Sequence, residues 1–223
     1  MPRPFFMMAL RIPISWSAAI DEVLIAADEA LRALSGAATA ARPAPGATDP
    51  GPQSLRDRRI SAGLMRVNHS GEICAQALYS GQALVARDPR VKAALQAAGA
   101  EERDHLAWCR ERLGELQSRP SLLDPMWYAG SLAFGVASGL AGDRWSMGFL
   151  AETEAQVERH LDGHLEELPP DDRRSRAILE QMRQDENRHG ATGKALGAAP
   201  LPLPVRFAMR LTSQVMTHTA YWI

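Results

Sequence analysis

Two short stretches carry residue types that could hold a metal ion. Glu102-x-x-His105 sits in residues 100–109, and a second copy, Glu186-x-x-His189, sits in residues 185–190. On an α-helix that spacing puts a carboxylate and an imidazole on one face, about one turn apart, within reach of one ion. A single copy is weak, because Glu and His are common and helices have many solvated faces. Two copies inside helix-like sequence point to one dinuclear site.

The remaining ligands must come from facing helices. Asp88-Pro89 reads as a stop and restart, with Asp as N-cap and Pro at the first helical position. Glu72 lies 16 residues before Asp88, and Glu102 lies 14 after it. In an antiparallel hairpin equal counts mean equal depth, and a mismatch of two residues is only ~3 Å at ~1.5 Å per residue. The pattern recurs around Pro169-Pro170, where Glu154 lies 15 before Pro169 and Glu186 lies 16 after Pro170. Glu72, Glu102, His105, Glu154, Glu186 and His189 therefore meet at one level of four helices, as the ligands of ferritin-like dimetal bundles do. As bare buried charges they would destabilise the fold. Two divalent metals would neutralise them, and carboxylates with neutral imidazoles suit iron or manganese.

The elements that must position these residues read as helices at 55–87 behind a Ser54 cap, 89 to about 116, 144–168, and from Asp171 or Asp172 to about 197. The prediction is an all-α, ferritin-like four-helix bundle with the link 117–142 as its long crossover and a flanking helix at each end. Residues 17–34 show an amphipathic stripe, and 35–52, with four prolines and three glycines, reads as a mobile linker. The chain thus divides into an arm, 1–54, and a bundle, 55–223. Inside the crossover, 125–142 carries no charge, but its 18 residues include four glycines and two serines. That only touches the lower limit of a membrane span, so it packs in the core or lies on a bilayer. Residues 205–223 read as a docked C-terminal helix or an interfacial one with an aromatic end.

Composition excludes some functions. The 223 residues suffice for one full core, and a net charge of −1 argues against nucleic acid as a partner. Cys74 and Cys109 have no CxxC spacing and read as buried reduced thiols of an intracellular protein. The apolar opening, 1–8, is interrupted by Arg11 and Pro13 and does not read as a secretory signal.

Several residues could support the site. Glu101 and Asp185 each lie four before a histidine, so Asp185 is expected to reach across to His105, or Glu101 to His189, unless they are solvated surface acids. Glu152 is the rival of Glu154 should the third-helix register differ. His160, six beyond Glu154, either bonds into the bundle or faces solvent, while His164 and His218 read as surface residues. His69 forms a reversed pair with Glu72 that two metals already served by two histidines do not need. Tyr79 shares the face of Glu72, as core packing or as a radical tyrosine.

At these residues the sequence closely resembles the bacterial-type demethoxyubiquinone hydroxylase family of ubiquinone biosynthesis. The resemblance rests on Arg66-Val67-Asn68-His69-Ser70-Gly71-Glu72, Glu101-Glu102-Arg103-Asp104-His105, Glu152-Thr153-Glu154 and Asp185-Glu186-Asn187-Arg188-His189-Gly190, with a similar ending at 215–222. It covers about 55–223 and implies two iron ions held by the same six ligands, with Glu102 and Glu186 as bridging, catalytic carboxylates. It further implies an O2-dependent monooxygenase that hydroxylates the ring of a polyprenyl-methoxy-methyl-benzoquinol, one oxygen atom entering the ring and the other leaving as water. The implied setting is peripheral, at the cytoplasmic face of the inner membrane, with 125–142 and 205–223 near the isoprenoid tail. Its partners would be the demethoxyubiquinol, O2, an electron donor and a membrane surface, with a homo-oligomer or an accessory lipid-binding protein also open. The alternatives are a ferritin-like iron-storage protein, a radical subunit of a reductase, and a non-catalytic quinone-binding protein.

Overall fold

A computed structural model describes residues 16–46, 51, 52 and 54–223. The expectation for the opening 1–8 falls outside them. Among the described residues there are seven helices and no strand: α1 (Trp16–Ser35), α2 (Leu55–Val85), α3 (Pro89–Glu115), α4 (Asp124–Leu140), α5 (Asp143–Glu167), α6 (Arg173–Ala195) and α7 (Leu203–Trp222).

The helix starts follow local chemistry. Ser54 Oγ accepts from the Asp57 amide at 3.0 Å, Asp88 Oδ1 from Arg90 at 2.8 Å, and Asp172 Oδ1 from Ser175 at 3.0 Å. Asp124 departs from this pattern. It lies inside α4, with Leu123 at the cap position and no side-chain cap bond. Its carboxylate is used elsewhere: Ser70 donates to Oδ1 at 2.6 Å, and His69 Nδ1 lies 3.1 Å from Oδ2. The His69–Glu72 spacing therefore ends in a tie between α2 and the crossover.

Helices α2, α3, α6 and α5 form a ring of antiparallel neighbours. The crossover α4 runs parallel to the second half of α2, from Ser70 at its start to Val85 at its end. Glycines permit the approach. A Cβ on Gly135 would stand 2.2 Å from the Leu78 carbonyl oxygen, and one on Gly81 would stand 2.5 Å from that of Leu132. Asp143 then accepts from the Arg87 and Asp88 amides at 3.0 and 2.8 Å, fixing the start of α5 beside the turn between α2 and α3. This is the ferritin-like arrangement, with one long crossover between two hairpins.

Apolar side chains fill the ring at two levels. One cluster holds Leu64, Trp108, Leu113, Leu161 and Leu179; the other holds Leu78, Val91, Leu95, Met147 and Leu150. Between them in register lies the layer of Glu72, Glu102, Glu154 and Glu186. A buried ion network closes one end, where Arg112 donates to Asp172 at 2.8 Å and to Ser175 at 2.9 Å.

Two expectations need correction. Residues 35–46 are not a free linker: the Ala41 amide donates to Asp104 at 2.6 Å, and Trp108 donates to the Arg42 carbonyl at 3.1 Å. Proline and glycine content signals irregular backbone, not mobility; hydrogen bonds to the bundle hold this segment. His164 is likewise not a surface residue, whereas His218 is exposed as expected. His164 is buried against His160, with ring centroids 3.8 Å apart, and burial pushes their pKa values down to about 3 and about 4.

Both imidazoles are thus neutral in the fold at pH 7. The neutral form is favoured natively, so the stability they contribute is complete above the unfolded value of about 6.5 and falls as the pH drops from there towards 4. We expect Tm to fall by roughly 5 °C or more between pH 7.5 and 5. A His160→Phe, His164→Phe double variant should flatten part of that slope in calorimetric scans; an unchanged slope would refute the assignment.

Candidate metal centre

All six sequence-predicted ligands are buried at mid-bundle. Glu72 comes from α2, Glu102 and His105 from α3, Glu154 from α5, Glu186 and His189 from α6. They fall into two groups whose ligand atoms lie within 4.8 Å of one another: Glu72, Glu102, His105 and Glu186; and Glu102, Glu154, Glu186 and His189. Glu102 and Glu186 belong to both. The shared pair is the one that the family resemblance implies as bridging carboxylates.

The histidines both turn Nδ1 to the carboxylates. His105 Nδ1 lies 3.1 Å from Glu102, 3.5 Å from Glu186 and 3.7 Å from Glu72. His189 Nδ1 lies 3.3 Å from Glu102, 3.3 Å from Glu186 and 3.8 Å from Glu154. Each Nε2 faces a further acid, Asp185 at 2.9 Å for His105 and Glu101 at 3.5 Å for His189. Both crossings anticipated from the sequence occur, the first as a hydrogen bond and the second at a looser distance.

Electrostatics divide the carboxylates. Burial and the neighbouring Glu102 charge raise the pKa of Glu72, and burial with Glu186 raises that of Glu154. Burial would also raise Glu102, but bonds with Glu72, His105 and His189 hold it below the usual carboxylate range. Glu186 lies below its ordinary value too, the histidines outweighing burial and Glu102. Burial opposes the charge on His189, yet Glu102 and Glu186 lift it to about 10.

Its donor set fits a pair of divalent cations. Glu154 Oε2 is buried and accepts no hydrogen bond, so it has a lone pair that a cation would satisfy. Four carboxylates offset the charge of two such ions, and the oxygen-rich set suits iron or manganese.

The other candidates fall away from this layer or beside it. Tyr79 is buried and its hydroxyl donates to Glu154 Oε1; burial and that carboxylate push its pKa well up, so it is the neutral phenol that meets the site. Glu152 accepts from Arg206 at 2.8 Å and Gln156 at 2.8 Å instead, which fixes the α5 register on Glu154. Cys74 and Cys109 are free thiols, Cys109 buried and Cys74 partly so. Sequence reasoning missed Asp104 and Arg42, which stand behind His105; no periodicity marks an arginine in an irregular segment.

Comparison with known proteins agrees with this geometry. Residues 59–220 match the family of the ubiquinone biosynthesis protein COQ7. A 3-demethoxyubiquinol 3-hydroxylase of Bordetella parapertussis is 58% identical over 206 residues, covering 92% of this chain and 93% of its own. One from Aromatoleum aromaticum is 58% identical over 205 residues, 92% of this chain and 100% of its own. One from Ralstonia pickettii is 54% identical over 216 residues, with 92% and 100% covered. Matched over most of its length by that family and by relatives more than half identical, this chain belongs to the COQ7 family of ubiquinone biosynthesis proteins.

Proposed function

We propose that this chain is a di-iron, O2-dependent monooxygenase that hydroxylates the ring of demethoxyubiquinol. The observation that carries the reading is the pair of overlapping four-residue clusters with Glu102 and Glu186 in common. Similar relatives named 3-demethoxyubiquinol 3-hydroxylase supply the substrate. Glu72 and His105 would hold one iron, Glu154 and His189 the other, and Glu102 and Glu186 both. Bound iron would supply the reduction of O2, with two electrons from an external donor and two protons, so that one oxygen atom enters the ring and the other leaves as water.

The chain's own residues supply the setting. Apolar layers above and below the carboxylates exclude water, which strengthens every charge interaction between them. The Tyr79 hydroxyl holds Glu154 by a hydrogen bond and fixes its orientation. Asp185 accepts from His105 Nε2, which leaves Nδ1 unprotonated to take a cation.

An isoprenoid tail needs an apolar approach, and we infer peripheral attachment to the cytoplasmic face of the inner membrane. No described helix is long and apolar enough to cross a membrane. Helix α7 instead exposes Leu203, Phe207, Leu211, Val215 and Trp222. The Leu122 amide donates to the Ile223 carbonyl at 3.1 Å, so exposed Leu122 and Met126 continue this surface. Such an array suits the interfacial plane of a bilayer.

The reaction is tested with purified chain, two Fe(II) per molecule, a chemical reductant, a short-tailed demethoxyubiquinol and 18O2. Mass spectrometry should find one labelled oxygen on the product ring. Unchanged quinol with iron accumulating far beyond two per chain would instead identify a storage protein.

A further inference from the structure

The acids behind the two histidines are held unequally, and the difference comes from the N-terminal arm. Asp185 is fully buried and carries a donor on every side. Arg42 Nη1 reaches its Oδ2 at 2.9 Å, the oxygen that also meets His105 Nε2 at 2.9 Å. Gln181 and Arg188 reach its Oδ1 at 2.9 and 2.7 Å. Arg42 also donates through Nε to Asp104 at 2.5 Å, and its guanidinium stacks 4.9 Å above the Trp108 ring. Trp108 in turn packs on His105, with ring centroids 5.4 Å apart. Glu101, behind His189, is about one-third exposed; Arg188 reaches it at 2.8 Å, but Arg42 stands 4.0 Å away.

From this we propose that Arg42 is a positioning residue of the metal centre, locking His105 in place through Asp185 and Trp108 so that the ion on the His105 side is held more tightly than its neighbour. The inference rests on the dinuclear reading above and goes beyond it. Residue 42 precedes the stretch, 59–220, that matches the family. A surface ion pair would contribute little here, since Arg42 is one-third exposed. Its partner is not at the surface, though. Without Arg42, fully buried Asp185 would lose a charge-assisted bond on the oxygen that orients His105, and such bonds are the ones whose loss is felt. Outer partners of metal-binding histidines typically alter metal affinity by about 10–100-fold.

The test follows release of two Mn(II) ions from the full-length protein to an excess of chelator. Wild-type protein should release them in two phases, the slower one absent from His105→Gln. In Arg42→Ala that phase should accelerate roughly 10-fold or more, with the other within about twofold. Arg42→Lys, which keeps the charge but cannot span Asp104 and Asp185 together, should remain fast. Unchanged slow release in Arg42→Ala overturns the proposal, as does equal acceleration of both phases. Wild-type protein that takes up fewer than two ions would overturn the dinuclear reading itself, and this proposal with it.

Discussion

Replacing Glu186 with alanine should abolish ring hydroxylation while leaving a folded helical protein. Glu186 stands in both ligand clusters, so its loss removes a ligand from each prospective ion at once. It also leaves Glu102 and the two histidines without the carboxylate that lies 3.5 Å from His105 and 3.3 Å from His189. The helix itself should survive, since alanine is the best helix former. In cells lacking their own enzyme, the variant should accumulate the demethoxy precursor with ubiquinone reduced by more than about 100-fold, as expected when a residue acting on both centres is lost. A normal quinone pool would reject the hydroxylase assignment and favour a scaffold or quinone carrier.

A second large effect is expected at the apolar surface. Phe207 and Trp222 are exposed on α7, 65% and 72% respectively, although large aromatics ordinarily bury most of their area. Partial burial of each in a bilayer interface would contribute about 1.5 kcal/mol, so Phe207→Ser with Trp222→Ser should weaken vesicle binding by ~100-fold. Co-sedimentation with vesicles of zwitterionic and anionic lipid measures this. Turnover of a water-soluble, tailless quinol should be unaffected, because neither residue touches the metal layer. Equal vesicle binding by variant and wild type would mean that these residues face another partner.

The positions of the ligands were legible because helical hairpins convert sequence separation into depth. Counting from Asp88 and from Pro169-Pro170 brought Glu72, Glu102, Glu154 and Glu186 to one level, and the structure has them there. Caps at Ser54 and Asp88 were equally readable, since each is a local bond within three residues, and of the two candidates Asp171 and Asp172 it is Asp172 that caps α6. Asp124 differs: Pro125 follows it as Pro89 follows Asp88, yet its side chain accepts from Ser70 on α2 instead of capping α4. Arg42 was out of reach because nothing local fixes an irregular segment, and its partners lie 62 and 143 residues away. His164 went the same way. Its burial depends on which face α5 turns to its neighbours, and a histidine spacing alone does not carry that information.

The glycine seam between α2 and α4 has a mechanical implication. With Gly81 and Gly135 letting two backbones touch, the crossover cannot slide or tilt without steric collision, and α2 carries Glu72 in the same rigid body. The crossover's exposed Met126 and Phe134 and the Glu72 carboxylate therefore keep a constant separation. On the proposed reading, a lipid-dissolved ring would have to leave the bilayer to react, so tail length and headgroup lift, not a swinging cap, would govern which quinols reach the carboxylate layer.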